Sequence, residues 1–428
     1  MPIRPEDVDR FAAEKAVLVG LDWGRPAPLS PEESLLELEN LVGAAGAEVV
    51  GGAIQRRRRP DAALLIGRGK AEELAEEIKE LGANLVVFDE PLSPAQQRNL
   101  EEALDVRVID RPAVILDIFA SRARTNEGRL QVELAQLEYE LPRLRGWGGE
   151  LSRTAGGIGT RGPGETKLEI DRRRVTKRIA TLKNKLRGVK RRRVLERAGR
   201  KDLPLIALAG YTNSGKTTLL NRLADADAYA ADVPFATLDP FIKRARLPSG
   251  RAVLVADTVG FISSLPPDLV AAFRATLEEI SLADVVVVVR DVTAADVEGQ
   301  AEVVEDLLAE LGARRNRRVD AFNKIDLAPG FDVGRFGELG FENPVAISAA
   351  TGDGCDRLLS ILDAILARDE VRVVVELEPG ALLTEVFERG RVIERDYRGG
   401  LVRILADVPP GLARRLEPYA PADESVTP

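Results

Sequence analysis

The chain has 428 residues, 45% hydrophobic and 30% charged, enough material for several globular cores. It has no histidine and one cysteine, Cys355, which excludes histidine-dependent nucleophilic chemistry, a His-ligated zinc site and an internal disulfide framework. The net charge of −8 hides a segregation: from Arg172 to Lys201 fifteen Lys or Arg stand against one acid, a net +14, leaving about −22 elsewhere.

The N-terminal MPIRPEDVDRFAAEK has no apolar core, and no run of eighteen apolar residues follows. A cytoplasmic protein with neither secretory signal nor membrane span is expected. Up to about residue 125, short apolar runs alternate with amphipathic stretches. Ala16–Leu21, a strand opening at Glu48–Val50, Ala62–Ile66, Asn84–Phe88 and Asp105–Ile109 read as strands. Pro31–Ala45, Lys70–Leu81, Pro94–Ala103 and Pro112–Ala123 read as helices, the first capped by Ser30 with Pro31 behind it. This alternation predicts a parallel α/β domain over residues 1–125. Gly67-Arg68-Gly69-Lys70 lacks the spacing of a full phosphate loop and reads as a helix start.

Over residues 126–201 the pattern changes. Leu130, Leu134, Leu137, Leu141 and Leu144 repeat at spacings of 4, 3, 4 and 3, as do Val175, Ile179, Leu182, Leu186 and Val189. These seams predict an antiparallel helical hairpin joined by the glycine-rich stretch 146–164, its second helix roughly 40 Å long, weakened or ended at Gly188 and Gly199. Strands and helices alternate again over 202–368, with strands at Leu205–Ala209, Ala252–Ala256, Val285–Val289, Arg318–Phe322 and Val345–Ile347. Period-two patterning from Val371 and from Leu401, with helices near Ala381–Glu388 and Gly411–Pro418, predicts a small α+β domain over 369–420. Residues 421–428 read as a disordered tail.

Gly210-Tyr211-Thr212-Asn213-Ser214-Gly215-Lys216-Thr217 fits G-x-x-x-x-G-K-[ST], with Thr218 next, between a predicted strand and a predicted helix. Backbone N–H groups of such a loop wrap phosphate oxygens, and Lys216 supplies a point charge to the β- and γ-phosphates. The Thr217 hydroxyl is placed to ligate Mg²⁺. Asp257-Thr258-Val259-Gly260 closes the next strand, where Asp257 can hold Mg²⁺ through water and Gly260 can meet the γ-phosphate. In Asn323-Lys324-Ile325-Asp326, Asp326 can accept from the guanine N1–H and N2–H₂ edge, Asn323 can bond the other edge and Lys324 can lie along the base. Ser348-Ala349-Ala350 can offer backbone N–H to guanine O6. Four such elements in this order, each at the carboxyl end of a strand, predict guanine nucleotide binding. Phe235-Ala236-Thr237-Leu238-Asp239 falls where a first switch lies, with Thr237 placed to complete the Mg²⁺ shell.

The chain resembles the HflX family of translation-factor-class GTPases. The resemblance rests on the motifs above, on Phe261-Ile262 and Leu265-Pro266, on Ile66–Lys70, on Leu130-Gln-Val-Glu-Leu-Ala-Gln-Leu137, and on Gly156–Arg174 (GGIGTRGPGETKLEIDRRR). It implies a GTP-hydrolysing protein that uses Mg²⁺, binds the large ribosomal subunit and its RNA, and helps to split stalled or idle ribosomes under stress. Some members are credited with ATP use through the N-terminal domain, so ATP there is a further implied partner. Arg290 in an otherwise apolar strand, and the absence of a histidine nearby, depart from the family pattern, and the C-terminal part matches least well.

Phe261 stands where Ras-like GTPases place a water-orienting Gln, so the catalytic group is not legible and slow intrinsic turnover is expected. The +14 segment is too one-sided for a merely solvated face, which makes RNA the expected partner of Arg172, Arg173, Lys177, Lys183, Lys190, Arg191 and Arg192. A membrane surface is second, because the seam Val175–Val189 already faces a helix. Arg153 and Arg161 in the glycine loop are expected to reach RNA, and Trp147, beside the cations Arg143 and Arg145, reads either as a stacking aromatic or as a loop anchor. Cys355 reads as a small buried residue. An RNA-binding module using GTP only for affinity, and an ATP-driven RNA remodeller, are the alternative readings. Nothing supports a stable oligomer, so a monomer is expected.

Overall fold

A computed structural model describes residues 14–24, 28–146, 163–198, 203–224, 235, 241–263, 277–294, 296–313, 316–368, 370–398 and 400–421. Side chains of 145–146, 163–168, 190–198, 338 and 398 are not described. The chain forms two compact units, residues 1–193 with 232–239 and 262–275, and residues 194–231 with 240–261 and 276–428.

The first unit opens as a wound α/β layer: β1 (Lys15–Asp22), α1 (Pro31–Ala45), β2 (Glu48–Arg56), α2 (Arg68–Leu81), β3 (Leu85–Phe88), α3 (Pro94–Leu104), β4 (Arg107–Asp110) and α4 (Arg111–Arg122). The four strands are all parallel in the order β2-β1-β3-β4. Local signals set the helix starts. Ser30 with Glu33, and Ser93 with Gln96, form reciprocal capping boxes, each followed by a proline whose missing N–H costs nothing in the first turn. Asp110 caps α4 by accepting from the Ala113 N–H. Beneath the sheet, Val17, Val19, Val86, Phe88, Val108, Leu74, Ile78 and Leu100 are buried together.

Two further helices follow, α5 (Asn126–Glu140) and α6 (Pro163–Ala198). Leu130, Leu134, Ile179 and Leu182 bury one another, flanked by Leu137, Leu141, Val175 and Leu186. Glu133 pairs with Arg178 at 2.6 Å and Glu138 with Lys183 at 2.8 Å. The first pair lies one residue before seam positions on both helices, the second one residue after them. With 36 residues, α6 runs about 54 Å, longer than expected. Gly188 is helical, and the Lys- and Arg-rich sequence around it propagates the helix at a cost near 1 kcal/mol for that glycine.

The second unit holds β5 (Leu205–Gly210), α7 (Lys216–Ala224), β6 (Phe241–Arg246), β7 (Ala252–Asp257), β8 (Val285–Asp291), α8 (Val297–Glu310), β9 (Arg317–Asn323), α9 (Gly334–Glu338), β10 (Val345–Ala346) and α10 (Cys355–Ala367). Its sheet order is β10-β9-β8-β5-β7-β6, parallel except for β6 against β7. Both faces are covered, which is why the central strands read as unbroken valine and alanine runs. Cys355 is buried at the start of α10. Then come β11 (Val371–Leu377), α11 (Ala381–Arg389), β12 (Arg391–Arg398), β13 (Leu401–Val408) and α12 (Pro410–Leu416). The strands form an antiparallel sheet, β11-β13-β12, with one face buried under helices and β12 at an edge.

One expected strand is absent and one observed strand was not expected, each for a physical reason. Ala62–Ile66 is a turn rather than a strand: the Asp61 carboxylate accepts from the N–H groups of Ala63 and Leu64 at 2.8 and 3.1 Å, and Leu65 takes a positive φ. An Asx turn outweighs a short apolar run. The strand β6 (FIKRAR) carried no hydrophobic alternation; it is fixed by its pairing with β7 across the turn Pro248-Ser249-Gly250, with Gly250 at φ 87°.

The polar heart of the first unit is Arg111, 1% exposed. Its guanidinium donates to Glu37 at 2.6 Å, to Asp89 at 2.8 Å through Nε, and to the Ser34 carbonyl at 2.7 Å. Burial disfavours its charge, but Asp89 and Glu37 outweigh that and raise its pKa. Removing the cation strands two nearly buried carboxylates. Arg111→Ala is expected to lose about 3–5 kcal/mol in urea unfolding; a loss within experimental error would contradict the role of this network.

Candidate functional site

Each sequence motif sits at the carboxyl end of a strand of the second unit: Gly210 closes β5, Asp257 closes β7, Asn323 closes β9, and Ser348 follows β10. Ligands of open α/β sheets bind at this edge. The loop 210–215 leads into α7, so the backbone N–H groups of a helix start face the same place.

Two glycines there leave no room for a side chain. A Cβ on Gly215 would lie 2.2 Å from Asn323 Nδ2, and one on Gly260 would lie 2.7 Å from Thr212 Cα. The loop is also stitched to the segment after Asp257. Thr212 N–H donates to the Phe261 carbonyl at 2.6 Å and Phe261 N–H to the Gly210 carbonyl at 3.0 Å. The Phe261 ring is buried. It has no hydrogen-bonding group with which to orient water.

Lys216 is buried and donates to the carbonyls of Tyr211 and Gly210, at 2.7 and 3.1 Å. Burial lowers its pKa to about 8, against the opposing pull of Asp257. Thr217 Oγ1 donates to Asp257 Oδ2 at 2.6 Å. A hydroxyl and a carboxylate converging beside a phosphate loop are a hard oxygen donor set, and these residues fit Mg²⁺.

Several expected site residues also carry structural contacts. Asn323 is buried with its amide committed on both sides: Nδ2 donates to the Ser214 carbonyl at 2.8 Å, and Oδ1 accepts from Ala349 N–H at 2.9 Å. It therefore joins the phosphate loop to the 348–350 loop, and the Ala349 N–H is engaged by it. Thr258 donates its hydroxyl to the Leu208 carbonyl, and Val259 is buried, so only the backbone of either is placed to meet a ligand. Asp326 is exposed on a 3₁₀ turn, as a base-reading carboxylate must be, while Lys324 pairs with Asp291 at 2.7 Å. Tyr211 is buried and Asn213 exposed at φ 60°.

Arg222 is a functional candidate that the motifs did not mark. From α7 it donates to the Ala349 carbonyl at 3.4 Å and to that of Ala350, bracing the loop that Asn323 holds from the other side. Its one sequence signal is a lone cation six residues beyond Lys216.

Phe235 and Ser263 group with the first unit. Phe235 is buried at φ 54°, its ring edge-on to Phe119 of α4 with centroids 4.6 Å apart. Ser263 donates its hydroxyl to Glu37, a partner of Arg111. Ala236, Thr237, Leu238 and Asp239 lie outside the described residues.

On α6, Arg172, Arg173 and Lys177 are exposed, with Arg173 paired to Glu169; Lys183 is held by Glu138. Lys190, Arg191 and Arg192 are helical with undescribed side chains, and Arg153, Arg161 and Trp147 lie outside the described residues. Arg143 is internal: it donates to Gln97 at 2.9 Å and the Leu92 carbonyl at 2.8 Å, and lies over the Tyr139 ring. These contacts hold Arg143 inside the fold. Among the described residues no helix is long and apolar enough to cross a membrane.

Three family models match in succession: a GTP-binding GTPase N-terminal region over residues 32–120, a GTP-binding GTPase middle region over 122–200, and a 50S ribosome-binding GTPase over 205–324. Curated relatives match nearly end to end. A GTPase HflX of Caldanaerobacter subterraneus is 46% identical over 95% of this chain and 94% of its own. A GTPase HflX of Escherichia coli K12 is 42% identical over 97% of this chain and 98% of its own. A Sulfolobus solfataricus GTP-binding protein solved with GDP covers 82% of this chain and 98% of its own at 24% identity, with a TM-score of 0.43.

Two outcomes follow from the geometry. Asn323→Ala breaks two buried hydrogen bonds, about 1–3 kcal/mol each, and is expected to weaken GDP binding at least tenfold in equilibrium titration. Lys216 loses its proton above about 8 in the free protein, whereas phosphate charge favours its protonated form. Calorimetry at pH 8.5 in buffers of different ionisation enthalpy should therefore show uptake of about half a proton or more on GDP binding, and little at pH 6.5.

Proposed function

The chain belongs to the HflX family of GTPases and hydrolyses GTP, and we propose that it does so as a switch on the large ribosomal subunit that helps to dissociate stalled or idle ribosomes. The observation that carries this reading is the match of residues 205–324 to a 50S ribosome-binding GTPase, on a chain whose α6 presents a basic face. Rows of cations on a rigid helix suit an RNA backbone, whose phosphates repeat at a regular spacing.

In the nucleotide site, the loop 210–217 wraps the phosphates and Lys216 sets its charge against the β- and γ-oxygens. Thr217 and Thr237, with Asp257 acting through water, would hold Mg²⁺ there. When bound, the ion neutralises charge developing on the phosphate oxygens. Asp326 selects guanine through the N1–H and N2–H₂ edge, while Asn323 and Arg222 hold the loop whose Ala350 N–H meets O6. Gly260 reports the γ-phosphate.

Hydrolysis needs an aligned water, and Phe261 aligns none. The ribosomal particle then supplies or arranges the missing group. Single-turnover GTP hydrolysis by the protein alone is expected below about 10⁻² s⁻¹ and should rise strongly with purified large subunits. Rapid turnover without subunits would defeat this. Replacing Arg172, Arg173 and Lys177 by Ala should weaken co-sedimentation with large subunits and cut the log–log salt slope by about 2 to 3. An unchanged slope would remove α6 from the RNA contact.

A further inference from the structure

At the carboxyl edge of the second unit's large sheet, β8 and β9 end level with each other, Asp291 opposite Asn323. The Val292 N–H donates to the Asn323 carbonyl at 3.1 Å and closes the ladder. The chain then leaves β9 through Lys324, at φ 70° and ψ 30°. A residue with a Cβ takes this left-handed conformation at a cost, and keeps it where its surroundings hold it. The strained position lies inside the motif assigned to the base, between Asn323 and the exposed Asp326.

Lys324 Nζ lies 2.7 Å from Asp291 Oδ2, with the two side chains 23% and 15% exposed. The other oxygen of Asp291 is taken locally: Oδ1 accepts from the Thr293 N–H at 2.9 Å and from the Thr293 hydroxyl at 2.6 Å. This turn orients the carboxylate through its own neighbours in sequence. The acid is therefore the fixed member of the pair, and the flexible four-carbon lysine stem is the member it restrains. The adjacent cation Arg290 does not compete, because its guanidinium donates to Asp320 at 2.9 Å and to Glu305 at 3.2 Å.

The strands do not need this pair to stay together. They are registered over seven residue pairs, from Val285 with Arg317 to Asp291 with Asn323. An ion pair that water still reaches adds little to stability. Its larger effect falls on the lysine stem. A free lysine has many rotamers to give up when a ligand packs along it, and one held at its tip has fewer. We propose that Asp291 is a positioning residue for nucleotide binding: it holds the Lys324 ammonium so that the methylene stem stands ready as a wall for the purine ring. The proposal rests on the reading of Asn323–Asp326 as a guanine site. Asp291 acts through Lys324 and has no part in gripping the phosphates.

The test is equilibrium titration of the full chain with GDP, ADP and pyrophosphate. Asp291→Asn keeps the size of the side chain and an acceptor for Thr293 but removes the charge. It is expected to weaken GDP about five- to tenfold. Pyrophosphate meets only the phosphate loop, so its affinity should not change, which also reports that the site is folded. Lys324→Met keeps a stem with no held tip and should lose a similar factor. In the double variant the losses should not multiply, because Asp291→Asn has nothing left to release once the ammonium is gone. A merely structural role for Asp291 would weaken pyrophosphate as well, or would act undiminished beside Lys324→Met. Either of those results, or GDP affinity unchanged in Asp291→Asn while the wild-type chain prefers GDP to ADP, would overturn the proposal alone. Equal wild-type affinity for GDP and ADP would be a failure of the guanine reading itself and would take the proposal with it.

Discussion

The nucleotide site depends on one amide. Asn323 reaches across the strand ends, gives its N–H to Ser214 and takes the N–H of Ala349. A loop built to approach phosphates is poor in side chains and cannot hold its own shape, so something buried must fix it from behind. Gly215 leaves just enough space for the Asn323 amide to do so. Arg222 braces the far side of the second loop through its carbonyls. The parts that meet phosphate and the parts that meet the base are therefore one hydrogen-bonded piece, and precision in one carries to the other.

The first unit is organised around a charge rather than an amide. Arg111 gathers α1, the end of β3 and Ser34 about a guanidinium that water hardly reaches. A short segment beyond the Asp257 motif joins the same cluster through Ser263, and Phe235 packs on Phe119 of the adjoining helix. Stretches that bracket the nucleotide motifs in sequence thus have their packing partners in the N-terminal unit.

Much of this was legible in the sequence because the signals were local or strictly spaced. Capping boxes at Ser30 and Ser93 fixed helix starts, the leucine seams marked α5 and α6, and the phosphate loop needed only its own eight residues. What could not be read depended on partners far away in the chain. The bracing role of Asn323 stayed hidden because its motif is short and its two partners lie 109 and 26 residues off. Arg143 looked available to RNA until Gln97 and Leu92 were brought beside it. At Asp61 the reverse occurred, and two short-range backbone contacts overrode an apolar run.

The strand β6 lies at the rim of one sheet and β12 at the rim of another. Lys243, Arg244 and Arg246 stud the first, and Arg391, Glu394, Arg395 and Asp396 alternate in sign along the second. Bare rims invite a neighbouring molecule to add its own strand; charged side chains along both hinder that, and the all-cationic set on β6 makes the encounter repulsive. The residues that hid β6 from hydrophobic periodicity thereby guard the protein against aggregation, so neutralising those cations would trade a cleaner amphipathic pattern for a stickier molecule.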